Sequence, residues 1–157
     1  MESIKIKKSE EGIDQLLEWA VFVNLDGKID LELILLKGHL FLETILGTIL
    51  KRNNVSNIAN YSFHRKITAL EIIKVEDELR KKFIISSLKE INRLRNKVAH
   101  EFTFDIANGE FEAWALNILD NLKGRKFSKY TFRTKIIHSF SLLTKNMLEM
   151  KSITFSI

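Results

Sequence analysis

The stretch LRNKVAHEF, residues 94–102, places an arginine, an asparagine and a histidine in a segment that otherwise has the spacing of an amphipathic helix. A guanidinium binds anions through paired hydrogen bonds, and an imidazole exchanges a proton near neutral pH. Neither side chain is needed to form a helix. Arg95, Asn96 and His100 are therefore the residues from which a function can be argued.

The spacing of these residues sets a geometric condition on any site that they form. On a wheel of about 100° per residue, Arg95 lies about 40° from Ile91, inside the predicted apolar stripe. That stripe contains Ile84, Leu88, Ile91, Val98 and Phe102. A guanidinium there needs a partner, because an unpaired buried charge costs several kcal/mol. Asn96 and His100 lie around the other side, so one straight helix does not place Arg95 and His100 in one cleft. A bend or fraying of the helix near Ala99 could do so, but the geometry favours a site that a second helix or a second subunit completes.

Six helical segments are predicted from the spacing of apolar residues. They cover roughly residues 10–25, 30–52, 62–73, 76–101, 110–123 and 131–150. In the first segment, one face is predicted to pack inward, and it contains Ile13, Leu16, Leu17, Ala20 and Val21. The second segment is apolar almost all round, which predicts a central helix surrounded by others. Short alternating stretches at residues 3–7 and 152–157 are interpreted as tails, with a two-stranded ribbon as the alternative.

Composition favours one all-α domain that spans residues 1–157. The chain has 157 residues, 45% of them hydrophobic, no proline and only six glycines, which suits a single core and uninterrupted helices. The absence of cysteine excludes disulfides, thiolate nucleophiles and cysteine zinc sites. The first twelve residues lack the apolar run of a secretory signal, so a cytoplasmic location is expected.

Charge and hydropathy bear on the partners of the chain. The formal charge of +5 mildly favours a polyanionic partner, although a composition rich in isoleucine, lysine and asparagine gives such a charge without any partner. The most apolar stretch, residues 31–50, is about long enough to cross a bilayer. Four polar residues interrupt it at a cost of a few kcal/mol each near the midplane, namely Glu32, Lys37, His39 and Glu43. A buried core helix and no membrane partner are therefore expected.

The motif RNKVAH, residues 95–100, resembles the signature of the HEPN superfamily, which is an arginine, four residues and a histidine. In that family a polar residue, often asparagine, follows the arginine, and the motif lies late in a helix of a small α-bundle. The stretch KGHLFLETIL, residues 37–46, further resembles bacterial members related to the mannitol operon repressor. The resemblance implies a HEPN-like helical bundle of about five to six helices.

The resemblance also implies an activity, because many members are metal-independent endoribonucleases of the toxin or phage-defence type. Transferred to this chain, His100 would be the general base or acid, and Arg95 would hold the scissile phosphate. Asn96 would orient the phosphate or His100, and attack by the 2′-hydroxyl would leave a 2′,3′-cyclic phosphate. The cleft in such members lies at a homodimer interface, an antitoxin or regulatory protein is a further implied partner, and neither metal nor cofactor is implied. Some toxins carry a modified tyrosine where this chain has Phe102, so control by that modification is not expected.

Two alternatives remain open at this point. The chain could be a non-catalytic regulatory or RNA- or protein-binding module that resembles the mannitol operon repressor. The motif could also be purely structural, with Arg95 paired to Glu43 and with His100 at the C-terminal end of its helix, where a cation is favoured by the dipole.

Other polar residues are weaker candidates for a site. His39 and Glu43 lie one turn apart and are predicted to be a core polar pair that supports the motif, because two ligands are too few for zinc. The basic segment at residues 123–135 has a mixture of cations and aromatics that can grip RNA, but a solvated connection whose aromatics turn into the core is the preferred interpretation. The candidate RNA-binding residues are Arg93, Lys97, Lys123, Arg125, Lys126, Lys129 and Tyr130.

Overall fold

The fold is a bundle of α-helices, seen in a computed structural model that describes residues 2–26, 30–125 and 131–153, the side chains of residues 2–9 and 24–26 aside. The helices within these ranges are α1 (Glu2–Asp26), α2 (Leu31–Arg52), α3 (Phe63–Ile72), α4 (Glu78–His100), α5 (Glu110–Asn121) and α6 (Phe132–Leu148). Two short 3-10 turns, Ile58–Asn60 and Ile106–Asn108, precede α3 and α5. The prediction of an all-α bundle of about six helices is confirmed.

Helix α6 forms the centre of the bundle. From Ile136 to Leu148 every residue except Lys145 is buried, and α1, α2 and α5 all pack against this helix. Helix α2 also contacts α3 and α4. The sequence predicted that α2 would be surrounded on all sides, but Leu33 and Leu40 are exposed. The neighbouring helices therefore leave part of the apolar surface of α2 exposed.

The contact between α2 and α6 depends on Gly38. A methyl group at this position would overlap the ring of Phe140, which is fully buried on α6. Because the core is close-packed, only glycine allows the two helices to approach this far. This contact fixes the turn of α2 that carries His39.

Side-chain caps begin four of the helices. Asp30, Ser62, Asp77 and Thr131 each accept a hydrogen bond from a backbone N–H in the first turn of α2, α3, α4 and α6, respectively. Helix α4 then runs unbroken for 23 residues and ends at His100. The motif therefore occupies the last two turns of a regular helix.

The ends of the chain differ from the prediction. Residues 3–7 belong to α1, which begins at Glu2, so they are neither a tail nor a strand. Of residues 152–157, only 152 and 153 are among the described residues, and Ser152 forms an isolated antiparallel bridge with Val75. An alternating pattern of five or six residues is too short to separate a strand from the end of a helix, which explains the difference.

Helix α1 packs on the bundle through a different face from the predicted one. Val21 is buried and Leu17 is half-buried, but Ile13 and Leu16 are exposed. The side that faces the bundle also carries Asp14, which makes an ion pair of 2.8 Å with Arg52 at the end of α2. Part of the apolar surface of α1 thus remains uncovered.

Helix α2 is long and apolar enough to cross a membrane by length and composition alone. Half of its most apolar window is buried inside the bundle. A core helix passes the same test of length and hydropathy, so this single helix is weak evidence for a membrane span.

Candidate functional site

The last two turns of α4 hold the three residues of the motif. Arg95 is half-buried, whereas Asn96 and His100 are exposed. Because α4 is unbroken up to His100, the side chains of Arg95 and His100 project about 140° apart around its axis. Phe102, predicted to face inward, is fully exposed just beyond the helix. One copy of the chain therefore does not bring Arg95 and His100 into one cleft.

Arg95 has no carboxylate partner among the residues that the structure describes. Its Nη1–H donates to Oδ1 of Asn96 over 3.1 Å, within the motif itself. Glu43, the acid considered as its structural partner, instead makes an ion pair of 3.3 Å with Lys66. The alternative in which Arg95 pairs with Glu43 is therefore not what the structure shows, because the first turn of α3 places Lys66 beside that carboxylate.

His39 is a buried polar residue beside the motif. It is 4% exposed, its ring centre lies 4.3 Å from that of Phe63, and its Nε2 lies 3.0 Å from Oδ1 of Asn92 on α4. Burial lowers the pKa of His39, and the charge of Arg95 lowers it further, against the raising effect of the hydrogen bond to Asn92. The imidazole is thus neutral at pH 7, and because an amide oxygen only accepts, Nε2 carries the proton.

Asn92 is a member of this site that the sequence analysis did not select. It lies one helical turn before Asn96 and three residues before Arg95, so the three share neighbouring positions on α4. In the sequence, the pattern that could have identified Asn92 is its spacing of four residues from Asn96. Helix α4 thus brings one guanidinium and two carboxamides to one part of the surface, beside His39 of α2 and Phe63 of α3, an arrangement able to bind an anion.

The pH dependence of stability should report whether His39 is protonated. A pKa that folding lowers means that the unfolded chain binds more protons, so the free energy of unfolding should decrease as the pH falls below about 6.5. His39→Gln should lose part of this slope in thermal melts recorded over a range of pH. Burial also lowers the pKa of His138, so His138→Gln should lose another part. A slope that is unchanged in both variants would contradict the assignment of neutral, buried histidines.

The two candidate RNA-binding residues on α4, Arg93 and Lys97, already contact other side chains of the same chain. Nη2 of Arg93 lies 2.6 Å from Glu90 and 2.7 Å from Glu110, and these two carboxylates raise its pKa. The half-buried Lys97 places Nζ 5.4 Å from the ring centre of Phe104. The charge of Arg93 is therefore neutralised within the bundle and is not free for a phosphate.

The basic segment after α5 is described only in part. Lys123 and Arg125 are exposed, while their backbone carbonyls accept hydrogen bonds from Asn146 and His138 over 3.0 and 2.7 Å. These bonds tie the backbone to α6 and leave both cationic side chains at the surface. The other candidates of this segment lie outside the described residues, namely Lys126, Lys129 and Tyr130.

A groove with a volume of about 1020 Å³ lies elsewhere, between α4 and α5. Trp114 and Ile85 line it, and neither Arg95 nor His100 does. Most of its charges are neutralised by ion pairs, for example between Lys89 and Glu71. No group of three potential metal ligands occurs among the described residues. The groove therefore carries no net charge, and it contains neither Arg95 nor His100.

Comparisons with known proteins do not assign a family. No family model matches the chain, and neither a curated protein nor a solved structure is significantly similar to it. The resemblance to the HEPN superfamily therefore remains a prediction that rests on the motif and its place in α4.

Proposed function

We propose that this chain is a cytosolic, metal-independent endoribonuclease of the toxin or phage-defence type, with its active site around Arg95, Asn96 and His100. The observation that carries the proposal is the unneutralised charge of Arg95. This guanidinium is half-buried, and its one hydrogen-bond partner among the described residues is the neutral amide of Asn96.

The contrast with Arg93 shows why this matters. Arg93 lies two residues earlier on the same helix and is satisfied by two carboxylates, which is the usual arrangement for an arginine with a structural role. No carboxylate among the described residues compensates Arg95 in this way. A phosphate would supply the missing anion and would accept two parallel hydrogen bonds from the guanidinium.

The chemistry follows from these residue types. One His100 side chain would take the proton of the 2′-hydroxyl, whose oxygen then attacks the adjacent phosphorus, and an imidazolium would protonate the departing 5′-oxygen. Arg95 would stabilise the additional negative charge on the phosphate in the transition state. The products would be a 2′,3′-cyclic phosphate and a 5′-hydroxyl.

A homodimer is part of the proposal because of the angle between the two main residues. Arg95 and His100 project about 140° apart on one helix, so the cleft needs a second surface, and a second copy would supply the same motif. An antitoxin or regulatory protein would hold such a toxin inactive in the cell.

A non-catalytic RNA- or protein-binding module is the second candidate, and one observation favours it. His100 is exposed and makes no hydrogen bond or ion pair among the described residues, so nothing within one copy orients it for proton transfer. One copy is thus sufficient to bind an anion at Arg95 but not to catalyse cleavage.

Cleavage of RNA in the presence of EDTA tests the proposal. Purified protein should cut single-stranded RNA without divalent cations and should leave 2′,3′-cyclic phosphate ends, which phosphatase removes only after acid opens the ring. Induced expression should also arrest growth. Binding of RNA with no cleavage across varied RNA substrates would instead support the regulator.

A further inference from the structure

Helices α3 and α4 run antiparallel, as contacts at both of their ends show. At one end, Nζ of Lys81 in the first turn of α4 donates to the backbone carbonyl of Glu71 in the last turn of α3 over 3.1 Å. At the other end, Phe63 begins α3 and Asn92 lies near the end of α4, and both contact His39 of α2. The first turn of α3 therefore lies beside the turns of α4 that carry the motif.

His64 lies on the side of α3 that borders these turns. Glu71 of α3 and Lys89 of α4 form an ion pair on the exposed surface of the two helices. His64 precedes Glu71 by seven residues, which is two helical turns to within about 20°. Asn96 follows Lys89 by the same number of residues. Because the helices run in opposite directions, the exposed His64 and Asn96 lie on one side of the pair, each about 10 Å along its helix from the ion pair.

His64 and Arg95 thus border one patch of surface. Nη1–H of Arg95 donates to Oδ1 of Asn96 over 3.1 Å, so the guanidinium extends towards the side of α4 that carries Asn96. The imidazole of His64 makes no hydrogen bond or ion pair within the described part of the chain. An imidazolium repels a guanidinium unless an anion lies between them, and a phosphate bound at Arg95 would be that anion.

Cleavage through the 2′-hydroxyl needs two proton transfers, one from that hydroxyl and one to the departing 5′-oxygen. We propose that His64 is a further catalytic residue, the general acid that protonates the 5′-oxygen while His100 takes the proton of the 2′-hydroxyl; this role rests on the proposed function. As the 2′-oxygen bonds to phosphorus, the bond from phosphorus to the 5′-oxygen breaks, and its electron pair takes the proton of the His64 imidazolium. Exchange with water then returns both imidazoles to their starting forms.

An RNA with a modified leaving group tests this role. When sulfur replaces the bridging 5′-oxygen at the scissile phosphate, the leaving group is a thiolate, which departs without a proton because thiols are stronger acids than alcohols. Under single-turnover conditions in EDTA, His64→Ala should cleave ordinary RNA about 10²–10⁴-fold more slowly than the wild type. It should cleave the sulfur-containing RNA at nearly the wild-type rate. His100→Ala should be slow on both substrates, because both retain the attacking 2′-hydroxyl.

Thr68→Ala is the matched control for His64→Ala. Thr68 is exposed one turn later on α3, its hydroxyl bonds within the helix, and the variant should cleave both substrates like the wild type. The circular dichroism spectrum and the thermal midpoint of His64→Ala should match those of the wild type.

The outcomes separate this role from the proposed function. If His64→Ala cleaves ordinary RNA like the wild type while His100→Ala is slow, His64 is not catalytic and the proposed function stands. An equal loss of rate on both substrates in His64→Ala would also overturn the general acid, since protonation of the leaving group would not be the step affected. A wild type that cleaves neither substrate would overturn the proposed function and the role of His64 together.

Discussion

Replacing Arg95 with alanine should reduce the rate of RNA cleavage by about 10²–10³-fold, because the scissile phosphate would lose the guanidinium that stabilises its negative charge in the transition state. His100→Ala should reduce the rate by about 10²–10⁴-fold through loss of proton transfer. Arg95→Lys keeps the charge but not the paired hydrogen bonds, so its rate should lie between those of the wild type and Arg95→Ala. Rates are measured under single-turnover conditions with a labelled RNA.

Lys89→Ala is the matched control for this series. Lys89 lies on the same helix, is exposed, and makes an ion pair with Glu71 rather than contributing to the motif. The Lys89→Ala variant should cleave RNA like the wild type. The thermal midpoints of Arg95→Ala and His100→Ala should stay close to that of the wild type, because neither residue has a charged partner among the described residues. A double variant at Arg95 and His100 that cleaves RNA as fast as the wild type would disprove the proposed active site. A wild type that only binds RNA, with binding lost in Arg95→Ala and kept in His100→Ala, would support the regulator.

The number of helices and most of their bounds follow from local signals in the sequence. Apolar spacing places α3 and α5, and caps such as Ser62 and Asp77 mark where helices begin. The face through which a helix packs is less local. Ile13 and Leu16 have the expected spacing for a core face, but the ion pair of Asp14 with Arg52 and the packing of Val21 rotate α1 so that they face outward. Spacing alone does not distinguish an apolar face that meets the core from one that stays exposed.

In the candidate site, too, the positions of residues within one helix can be predicted from the sequence, whereas contacts between helices cannot. The spacing of Arg95, Asn96 and His100 on one helix follows from the sequence, as does their 140° separation. The partner of Glu43 does not, because it depends on how α3 lies against α2, and Lys66 is 23 residues away along the chain. The contact between His39 and Asn92 spans 53 residues, and no single helix pattern reports it.

Lys81 is a further residue whose role only the packing of the bundle defines. It lies in the first turn of α4 and is 5% exposed, although lysine is almost never buried without partners. Its Nζ donates to the backbone carbonyls of Glu71 and Ile73 over 3.1 and 2.7 Å, and it makes an ion pair of 3.0 Å with Glu78. Those carbonyls lie at the C-terminal end of α3, where they have no partner within the helix and where a cation is favoured. Lys81 thus fastens the end of α3 to the start of α4.

Lys81→Met should lower the free energy of unfolding by about 2–4 kcal/mol, since the methionine fills the space but leaves the two carbonyls without their donor. Glu78 would lose its ion pair but keep the hydrogen bond from the N–H of Val75. For a domain of this size a loss of about 3 kcal/mol corresponds to a decrease of roughly 10 °C in Tm, measurable by calorimetry or circular dichroism. Lys82→Met changes the neighbouring exposed lysine, which makes no ion pair among the described residues, and should leave Tm nearly unchanged. Equal Tm values for the two variants would mean that the contacts of Lys81 do not stabilise the fold, and that the packing of α3 on α2 and α4 holds its C-terminal end without them.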